Sequence, residues 1–150
     1  MGTDAVQPLS KKERISKFGE VFTPRHIVSD MCDMLEQENS DCFIPETTFL
    51  EPTCGDGAFV LEILRRKFQH CRCRKDYTES LRSVYAMEIQ ADNVNAAIEN
   101  VTALCREYFK PTAEETDIIR NHIMQADSLK VMRMISDING REQSRARLAV

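Results

Sequence analysis

The chain has 150 residues, enough for one domain with a hydrophobic core and too few for two domains of ordinary size. Its 20 basic and 24 acidic side chains give a net charge of −4, which excludes a generally basic nucleic-acid wrapper but leaves room for a local basic patch. A hydrophobic fraction of 42% and a charged fraction of 29% are typical of a globular protein and exclude a disordered or fibrous one.

No segment of the sequence indicates a membrane or a secretory destination. The apolar runs are all shorter than the roughly 20 residues that cross a bilayer, and the polar N-terminus lacks the core of a signal peptide. We therefore expect a cytoplasmic protein whose six cysteines are reduced thiols. Cys32 and Cys105 fall within apolar helical patterns and should be buried. Cys71 and Cys73 lie beside His70 with a spacing that does not match a zinc site, so we expect no metal.

The N-terminal part of the sequence predicts two helices. Ser10 and Glu13 have the spacing of a capping box, which predicts a short basic helix over about 11–17. An extended segment leads to Pro24, a residue that suits a first helical turn. Apolar residues then recur at spacings of three and four, which predicts a helix over about 24–37.

Three short runs of β-forming residues alternate with amphipathic helical patterns in the rest of the chain. The predicted strands cover about 47–51, 82–88 and 122–126. The predicted helices cover about 58–69, 91–109 and 112–120, and another includes residues 131–135. The first of these helices closes in a basic stretch that indicates a solvated helix end, with a phosphate-contacting patch as the alternative. Its residues are Arg65, Arg66, Lys67, Arg72, Arg74 and Lys75. Strands that alternate with helices predict a parallel sheet covered on both faces.

Each predicted strand ends at an acidic residue, and a glycine turn follows the first strand. The acids are Glu51, Glu88 and Asp127, and the turn is the Gly-Asp-Gly segment 55–57. Ligands of parallel sheets bind beyond the carboxyl ends of the strands, and glycines let the backbone approach a ligand closely. Together these features predict a binding site, although each alone is also typical of a tight turn with incidental acids.

The spacing of these residues excludes two common phosphate-binding loops. Val60 stands where a dinucleotide fingerprint needs its third glycine, and Glu88 lies well beyond the ~20-residue offset of that fingerprint's ribose acid. No Gly-Lys-Ser/Thr sequence follows, so the loop is not a P-loop. The carboxylate of Glu51 would repel a pyrophosphate and favours a cationic nucleoside without phosphate groups. S-Adenosylmethionine fits that description.

Two longer motifs carry a family resemblance. The sequence GEVFTP over residues 19–24 precedes FLEPTCGDGAF over residues 49–59. Together they closely resemble adenine-specific DNA methyltransferases of restriction-modification systems, which carry an FTP-type motif upstream of a D/E-P-x-x-G-x-G-x-F motif. Glu88 within YAMEI and Asp127 followed by serine resemble the second and third cofactor motifs of this family. The resemblance covers about residues 10–130 and implies an α/β, Rossmann-like methyltransferase sheet that binds S-adenosylmethionine.

The resemblance also implies a set of cofactor-binding residues, with no catalytic or metal-binding residue in the chain. In chain order the set is Phe22, Thr23, Pro24, Glu51, Pro52, Gly55, Asp56, Gly57, Phe59, Glu88, Ile89, Asp127 and Ser128. The segment 22–24 would close the methionine end of the cofactor, whose amino group Glu51 would face. Glu88 would bind the ribose hydroxyls, and Asp127 would accept a hydrogen bond from the adenine amino group.

The same resemblance gives an interpretation of three other members of this set and of Cys54, which is not a member. Phe59 would pack near the ligand, and Ile89 would lie against the adenine ring. Cys54 fills a small-residue position of the motif and is interpreted as structural, not as a nucleophile. Asp56 is either a cofactor contact or an exposed acid of the turn.

One motif of the family has no counterpart in the sequence. Its members transfer the methyl group with an Asn-Pro-Pro-Tyr-type loop that follows the fourth strand and grips a flipped-out adenine. No segment here matches that loop, and no proline follows Pro111. We therefore expect the chain to supply the cofactor-binding half of an enzyme, with a partial, three-stranded sheet and without the catalytic half.

The predicted organisation is an N-terminal tail and short basic helix over 1–18, a cofactor-binding core over 19–139 and a polar tail over 140–150. A partial sheet should expose apolar surface, so we expect the chain to self-associate or to bind a partner chain that completes the sheet. We expect regions outside this chain to make most of the contacts with DNA. Two alternatives stay open: a catalytically incomplete cofactor-binding or assembly module, and a methyltransferase that acts on RNA or protein.

Overall fold

The computed structural model describes residues 9–18 and 20–148, and the side chains of residues 9–17 and 20–139. Residues 1–8 of the predicted tail, Gly19 and the last two residues lie outside this part of the chain. The described part forms seven helices and three strands. The helices are α1 (Lys11–Phe18), α2 (Arg25–Glu38), α3 (Ala58–His70), α4 (Arg74–Arg82), α5 (Ala91–Tyr108), α6 (Ala113–His122) and α7 (Ser128–Leu148). The strands are β1 (Phe49–Glu51), β2 (Val84–Glu88) and β3 (Ile123–Gln125).

The three strands form one parallel sheet in the order β1-β2-β3. Leu50 of β1 pairs with Tyr85 of β2, and Met87 of β2 pairs with Met124 of β3. Because the strands are parallel, their carboxyl ends lie along one edge of the sheet, as the sequence predicted. This mixed α/β arrangement is compatible with a Rossmann-like fold.

One face of the sheet carries the hydrophobic core. Val84, Ala86 and Ile123 belong to this core and are at most 5% exposed. Helices α3, α4, α5 and α6 pack against the strands and remove these side chains from water. Cys32 and Cys105 lie in the same core, which confirms the prediction that they are buried.

The opposite face of the sheet is only partly covered, which differs from the expected sheet with helices on both faces. Leu50, Tyr85 and Met124 share this face by register and are 46%, 37% and 39% exposed. Helix α2 packs against α3, and α7 leaves apolar side chains such as Met134 in solvent. The three strand residues therefore form an apolar surface that water reaches.

Helix α4 occupies a segment that was predicted as the solvated end of the preceding helix. The carboxylate of Asp76 accepts hydrogen bonds from the backbone N–H groups of Arg72 at 2.7 Å and Cys73 at 3.1 Å. These bonds form a capping box that begins a new helix. The signal was missed because cysteine is an unusual residue at the N-cap position.

Helix α7 runs from Ser128 to Leu148 and so enters the segment predicted as a polar tail. Asp127 precedes the helix and accepts a hydrogen bond from the N–H of Lys130 at 3.2 Å, which satisfies one donor of the first turn. A polar helix without an apolar stripe gives no periodic signal, so its second half was not predicted. Neither α7 nor any other helix within residues 9–18 and 20–148 is long and apolar enough to span a membrane.

Lys67 of α3 belongs to the basic stretch that was predicted to be solvated, but it is fully buried and fixes the segment that leads into β1. Its ammonium group donates hydrogen bonds to the carbonyl oxygens of Ile44 at 2.7 Å, Pro45 at 3.2 Å and Thr47 at 2.6 Å. These bonds replace the water that the group loses on burial. Burial lowers the pKa of Lys67 to about 8.

Candidate functional site

The loop between β1 and α3 contains two glycines in the left-handed region of backbone space, where other residues are strained. Gly55 has a φ of +54° and Gly57 a φ of +97°. A methyl group on Gly57 would lie 3.3 Å from the Cβ of Ala97, so α5 packs directly against the turn. The glycine turn predicted from the sequence is present, and its shape requires glycine.

Glu88, at the end of β2, accepts hydrogen bonds from two backbone N–H groups. Its Oε2 lies 3.0 Å from the nitrogen of Gly55, and its Oε1 lies 2.8 Å from the nitrogen of Gln90. The N–H of Cys54 also donates to the carbonyl oxygen of Met87 at 2.9 Å, which ties the same loop to the same strand. Each carboxylate oxygen of Glu88 keeps a second lone pair, so the group can still accept hydrogen bonds from a ligand.

Glu51, at the end of β1, makes contacts of a different kind. Its Oε1 accepts a hydrogen bond from the N–H of Thr53 at 3.1 Å, and its Oε2 has no hydrogen-bond partner among the described residues. The neighbouring thiol of Cys54 is buried, and burial beside Glu88 and Glu51 raises its pKa to about 12. The Cys54 thiol is therefore protonated at neutral pH, and a protonated thiol is a poor nucleophile. The unpartnered Oε2 of Glu51 is free to accept a hydrogen bond or to pair with a cation.

The segment that follows α1 forms a further wall of the site. The ring of Phe22 lies against the glycine turn, because a methyl group on Gly55 would be 3.2 Å from its edge. Glu20 begins this segment and accepts hydrogen bonds from Arg14, and that guanidinium holds the pKa of Glu20 below its ordinary value. The wall thus combines an aromatic ring with an ionised carboxylate.

The ends of β1 and β2, the glycine turn and this wall surround a cavity of about 380 Å³. That volume falls within the range of small-molecule sites, roughly 300–1,000 Å³. The residues that line it are Glu20, Val21, Phe22, Thr23, Glu51, Thr53, Cys54, Gly55, Asp56, Ala58, Phe59, Glu88, Ile89 and Gln90. Four of these are acids and none is Lys, Arg or His, so the cavity attracts cations and repels anions.

The cavity brings together most of the residues that the sequence singled out. Those that line it are Phe22, Thr23, Glu51, Gly55, Asp56, Phe59, Glu88 and Ile89. Those that do not line it are Pro24, Pro52, Gly57, Asp127 and Ser128. Two of the three strand-end acids therefore share one pocket, and the third lies outside its lining.

Asp127 and Ser128 lie at the junction of β3 and α7. The N–H of Ala126 donates to the carbonyl oxygen of Glu88 at 2.9 Å, so the backbone of this junction runs beside the end of β2. The carboxylate of Asp127 caps α7 and lies 3.5 Å from the ammonium of Lys130. In this structure the side chain of Asp127 therefore caps the N-terminus of α7.

Several lining residues were absent from the predicted set. Glu20 and Val21 belong to the GEVFTP sequence, Thr53 belongs to FLEPTCGDGAF, and Gln90 directly follows YAMEI. Because these residues lie inside or next to the motifs, their place in the sequence could have identified them as part of the site. The hydrogen bonds of Arg14 had no such signal, because Glu20 is not at a helical spacing from it and Asp92 lies 78 residues further along the chain.

Among the described residues, no group of three or more His, Cys, Asp or Glu side chains is arranged to hold a metal ion. Cys71 and Cys73 are both free thiols, the first half-buried and the second exposed. Cys73 acts as the N-cap of α4, which gives this segment a structural role.

Comparison with known proteins gives one partial similarity. The type II methyltransferase M.VspI of Vibrio sp. (strain 343) is 38% identical to the chain over 56 residues. Those residues are 37% of this chain and 12% of that protein, so the chain covers only a small part of its length. No family model matches the chain, and no solved structure matches it. The similarity supports a relationship to methyltransferases.

Proposed function

We propose that the chain is the S-adenosylmethionine-binding part of an adenine-specific DNA methyltransferase, with residues 19–139 as the cofactor-binding core. The single observation that carries this proposal is the pocket in which Glu51 and Glu88 meet the glycine turn without a cation in the lining. The motifs GEVFTP and FLEPTCGDGAF and the partial similarity to a type II methyltransferase support the same assignment.

The charge of the pocket fits a sulfonium ligand better than a nucleotide. S-Adenosylmethionine carries a positive charge on sulfur and another on its amino group, and both are attracted by the surrounding carboxylates. The unpartnered Oε2 of Glu51 is available to the amino group. The phosphates of ATP or NAD would instead meet four acids with no compensating Lys, Arg or His in the lining.

The binding positions of the ribose and the adenine of the cofactor are proposed from the position of Glu88. The free lone pairs of its carboxylate would accept hydrogen bonds from the two ribose hydroxyls. Ile89, which is 54% exposed, offers an apolar surface for the adenine ring. We assign the adenine amino group to Asp127, with Ser128 beside it, because the chain before them is hydrogen-bonded to the end of β2.

The turn and the wall would hold the remaining part of the cofactor. Gly55 and Gly57 keep the backbone free of side chains where the ligand passes, and Pro52 begins the loop that carries them. Phe22, Thr23 and Pro24 would close the methionine end. Asp56 and Phe59 would line the same end from the start of α3.

The reaction proposed for the whole enzyme is transfer of a methyl group to the exocyclic amine of adenine in a restriction-modification system of the cytoplasm. The bound cofactor supplies an electrophilic methyl group on a positively charged sulfur. The chain's own residues would bind and orient it, which is a positioning contribution. The loop that holds the flipped adenine has no match in this sequence, so we propose that residues outside these 150 complete the catalytic site and contact DNA.

Isothermal titration calorimetry on the purified chain tests this function. S-Adenosylmethionine should bind more tightly than S-adenosylhomocysteine, which lacks the sulfonium charge, and ATP should not bind. Glu51→Gln should weaken the binding of both ligands by a similar factor, because both carry the amino group that Glu51 would face, whereas the control Glu38→Gln, at the exposed end of α2, should leave both affinities unchanged. Tighter binding of ATP, or no binding of S-adenosylmethionine, would contradict the proposal.

A further inference from the structure

Helix α1 is joined to the rest of the molecule by the side chain of Arg14. Its guanidinium donates two hydrogen bonds of 2.5 Å to the carboxylate of Glu20 and a third of 2.5 Å to Asp92. Asn93, which is only 6% exposed, donates from Nδ2 to the same carboxylate of Glu20 at 2.6 Å. These four residues form one network, which we call the Arg14 network.

The Arg14 network connects the wall of the cavity with the start of α5. Glu20 lines the cavity and begins the segment that contains Phe22, while Asp92 and Asn93 lie in the first turn of α5. That turn follows Glu88 by only a few residues in the chain. The network therefore joins the wall to the start of α5, which follows directly on the short loop after Glu88.

The wall has few other attachments. Val21, Phe22 and Thr23 make no hydrogen bond to the sheet or to α5, and Val21 is 74% exposed. The ring of Phe22 touches the glycine turn, but it is 44% exposed and makes only van der Waals contact there. An Arg fork that binds a carboxylate through two N–H groups restrains position and direction at once, which an isolated apolar contact does not.

We propose that Arg14 is a positioning residue, which locks the segment 20–23 onto the start of α5 and thereby completes the cavity. Residues of α1, outside the methyltransferase-like motifs, would then contribute to ligand affinity without touching the ligand. This inference rests on the proposed cofactor site for its effect on binding. Its structural part, the locking of the wall, holds with or without that function.

Two measurements on the full 150-residue chain test the inference. Backbone ¹⁵N relaxation without ligand gives the order parameters of the amides of residues 20–23, and calorimetry gives the affinity for S-adenosylmethionine. Arg14→Ala should lower these order parameters from roughly 0.85, the value of a rigid backbone, to below about 0.6, and it should weaken binding about tenfold. Arg14→Lys, which keeps the charge but loses the fork, should give intermediate effects. Lys12→Ala, on the same exposed helix, is the matched control and should change neither quantity.

Asp92→Asn provides an independent variant, because Asp92 lies outside the cavity lining and contacts Arg14 from an exposed position. It should produce a smaller effect of the same kind. The order parameters of the β2 amides 84–88 should stay unchanged in every variant, which separates loss of the wall from loss of the fold. Unchanged order parameters at residues 20–23 in Arg14→Ala would overturn the inference, and so would lowered order parameters with full affinity. Failure of the unaltered chain to bind S-adenosylmethionine would instead refute the proposed function, while the relaxation measurement still decides whether Arg14 locks the wall.

Discussion

The N–H of Gly55 donates a hydrogen bond to Oε2 of Glu88 at 3.0 Å, and this contact joins the turn after β1 to the acid that ends β2. The other oxygen of Glu88 accepts a hydrogen bond from the N–H of Gln90 at 2.8 Å. One carboxylate thus fixes the two loops that border the cavity and also faces its interior. Removing it should affect both the shape of the turn and the binding of a ligand.

Glu88→Ala should weaken the binding of S-adenosylmethionine by about 1–3 kcal/mol, the usual loss when hydrogen bonds to a charged group are removed. Glu88→Gln keeps one acceptor oxygen and should lose less. Isothermal titration calorimetry measures both. Glu99→Ala, on an exposed face of α5 away from the cavity lining, serves as the control. An unchanged affinity in Glu88→Ala would show that the ribose assignment is wrong.

Gly57→Ala should lower the free energy of unfolding by about 1–2 kcal/mol, because φ at this position is +97°. The new methyl group would also press on the Cβ of Ala97 at 3.3 Å. Urea denaturation measures the loss. In an Ala97→Gly background the same substitution should cost less, because the contact is removed and only the backbone strain is left. An equal cost in both backgrounds would mean that the contact with α5 contributes nothing.

Acidification should destabilise the chain through Glu115, whose side chain is 2% exposed. Burial alone would raise the pKa of this carboxyl, but hydrogen bonds from Thr112, Thr78 and Arg74 outweigh burial and hold the pKa below its ordinary value of 4.5. The unfolded chain then takes up the proton first, so the stabilisation is complete above pH 4.5 and is lost as the pH falls through the lower folded-state pKa.

Glu115→Gln removes this titration and should flatten the pH dependence of unfolding below 4.5. Urea denaturation at several pH values between 7 and 3 measures the difference between the variant and the unaltered chain. Glu114→Gln is the matched control, since Glu114 is exposed and pairs only with Arg82 at the surface. That control should change stability by no more than about 1 kcal/mol. An equally steep acid dependence in Glu115→Gln would rule out this carboxylate as the cause.

The apolar surface formed by Leu50, Tyr85 and Met124 should make the chain associate. Sedimentation velocity at increasing concentration should show species heavier than the 17.2 kDa monomer. The double variant Leu50→Lys and Met124→Lys should shift the distribution toward monomer, because it places two charges on this face. Gln37→Lys, on an exposed position of α2, is the control for added charge. A strictly monomeric chain at all concentrations would contradict the expected self-association.

The sequence was sufficient for the parts of the fold that periodic patterns encode. The apolar spacing that predicted the helix over 91–109 corresponds to α5, and the runs before Glu51 and Glu88 correspond to β1 and β2. The glycine turn was predictable because only glycine adopts a φ of +97° readily. These features depend on residues that are neighbours in the chain.

The features that escaped prediction depend on contacts between distant segments or on unusual local chemistry. Helix α4 begins at a cysteine N-cap, and the second half of α7 has no apolar stripe. Arg14 finds its partners at Glu20 and Asp92, which no pattern in a single sequence connects. The exposed face of the sheet could be anticipated from the small number of strands, but the residues that form it followed only from the register.

The position of the ligand can be measured directly by titrating the ¹⁵N-labelled chain with S-adenosylmethionine and following the backbone amide resonances. With only five glycines in the sequence, the signals of Gly55 and Gly57 fall in a sparse and recognisable group. We predict that these two amides and that of Gln90 shift in proportion to the bound fraction, while amides of α4 and α6 stay in place. Shifts confined to another surface, or none at saturating ligand, would contradict a cofactor pocket between Glu51 and Glu88.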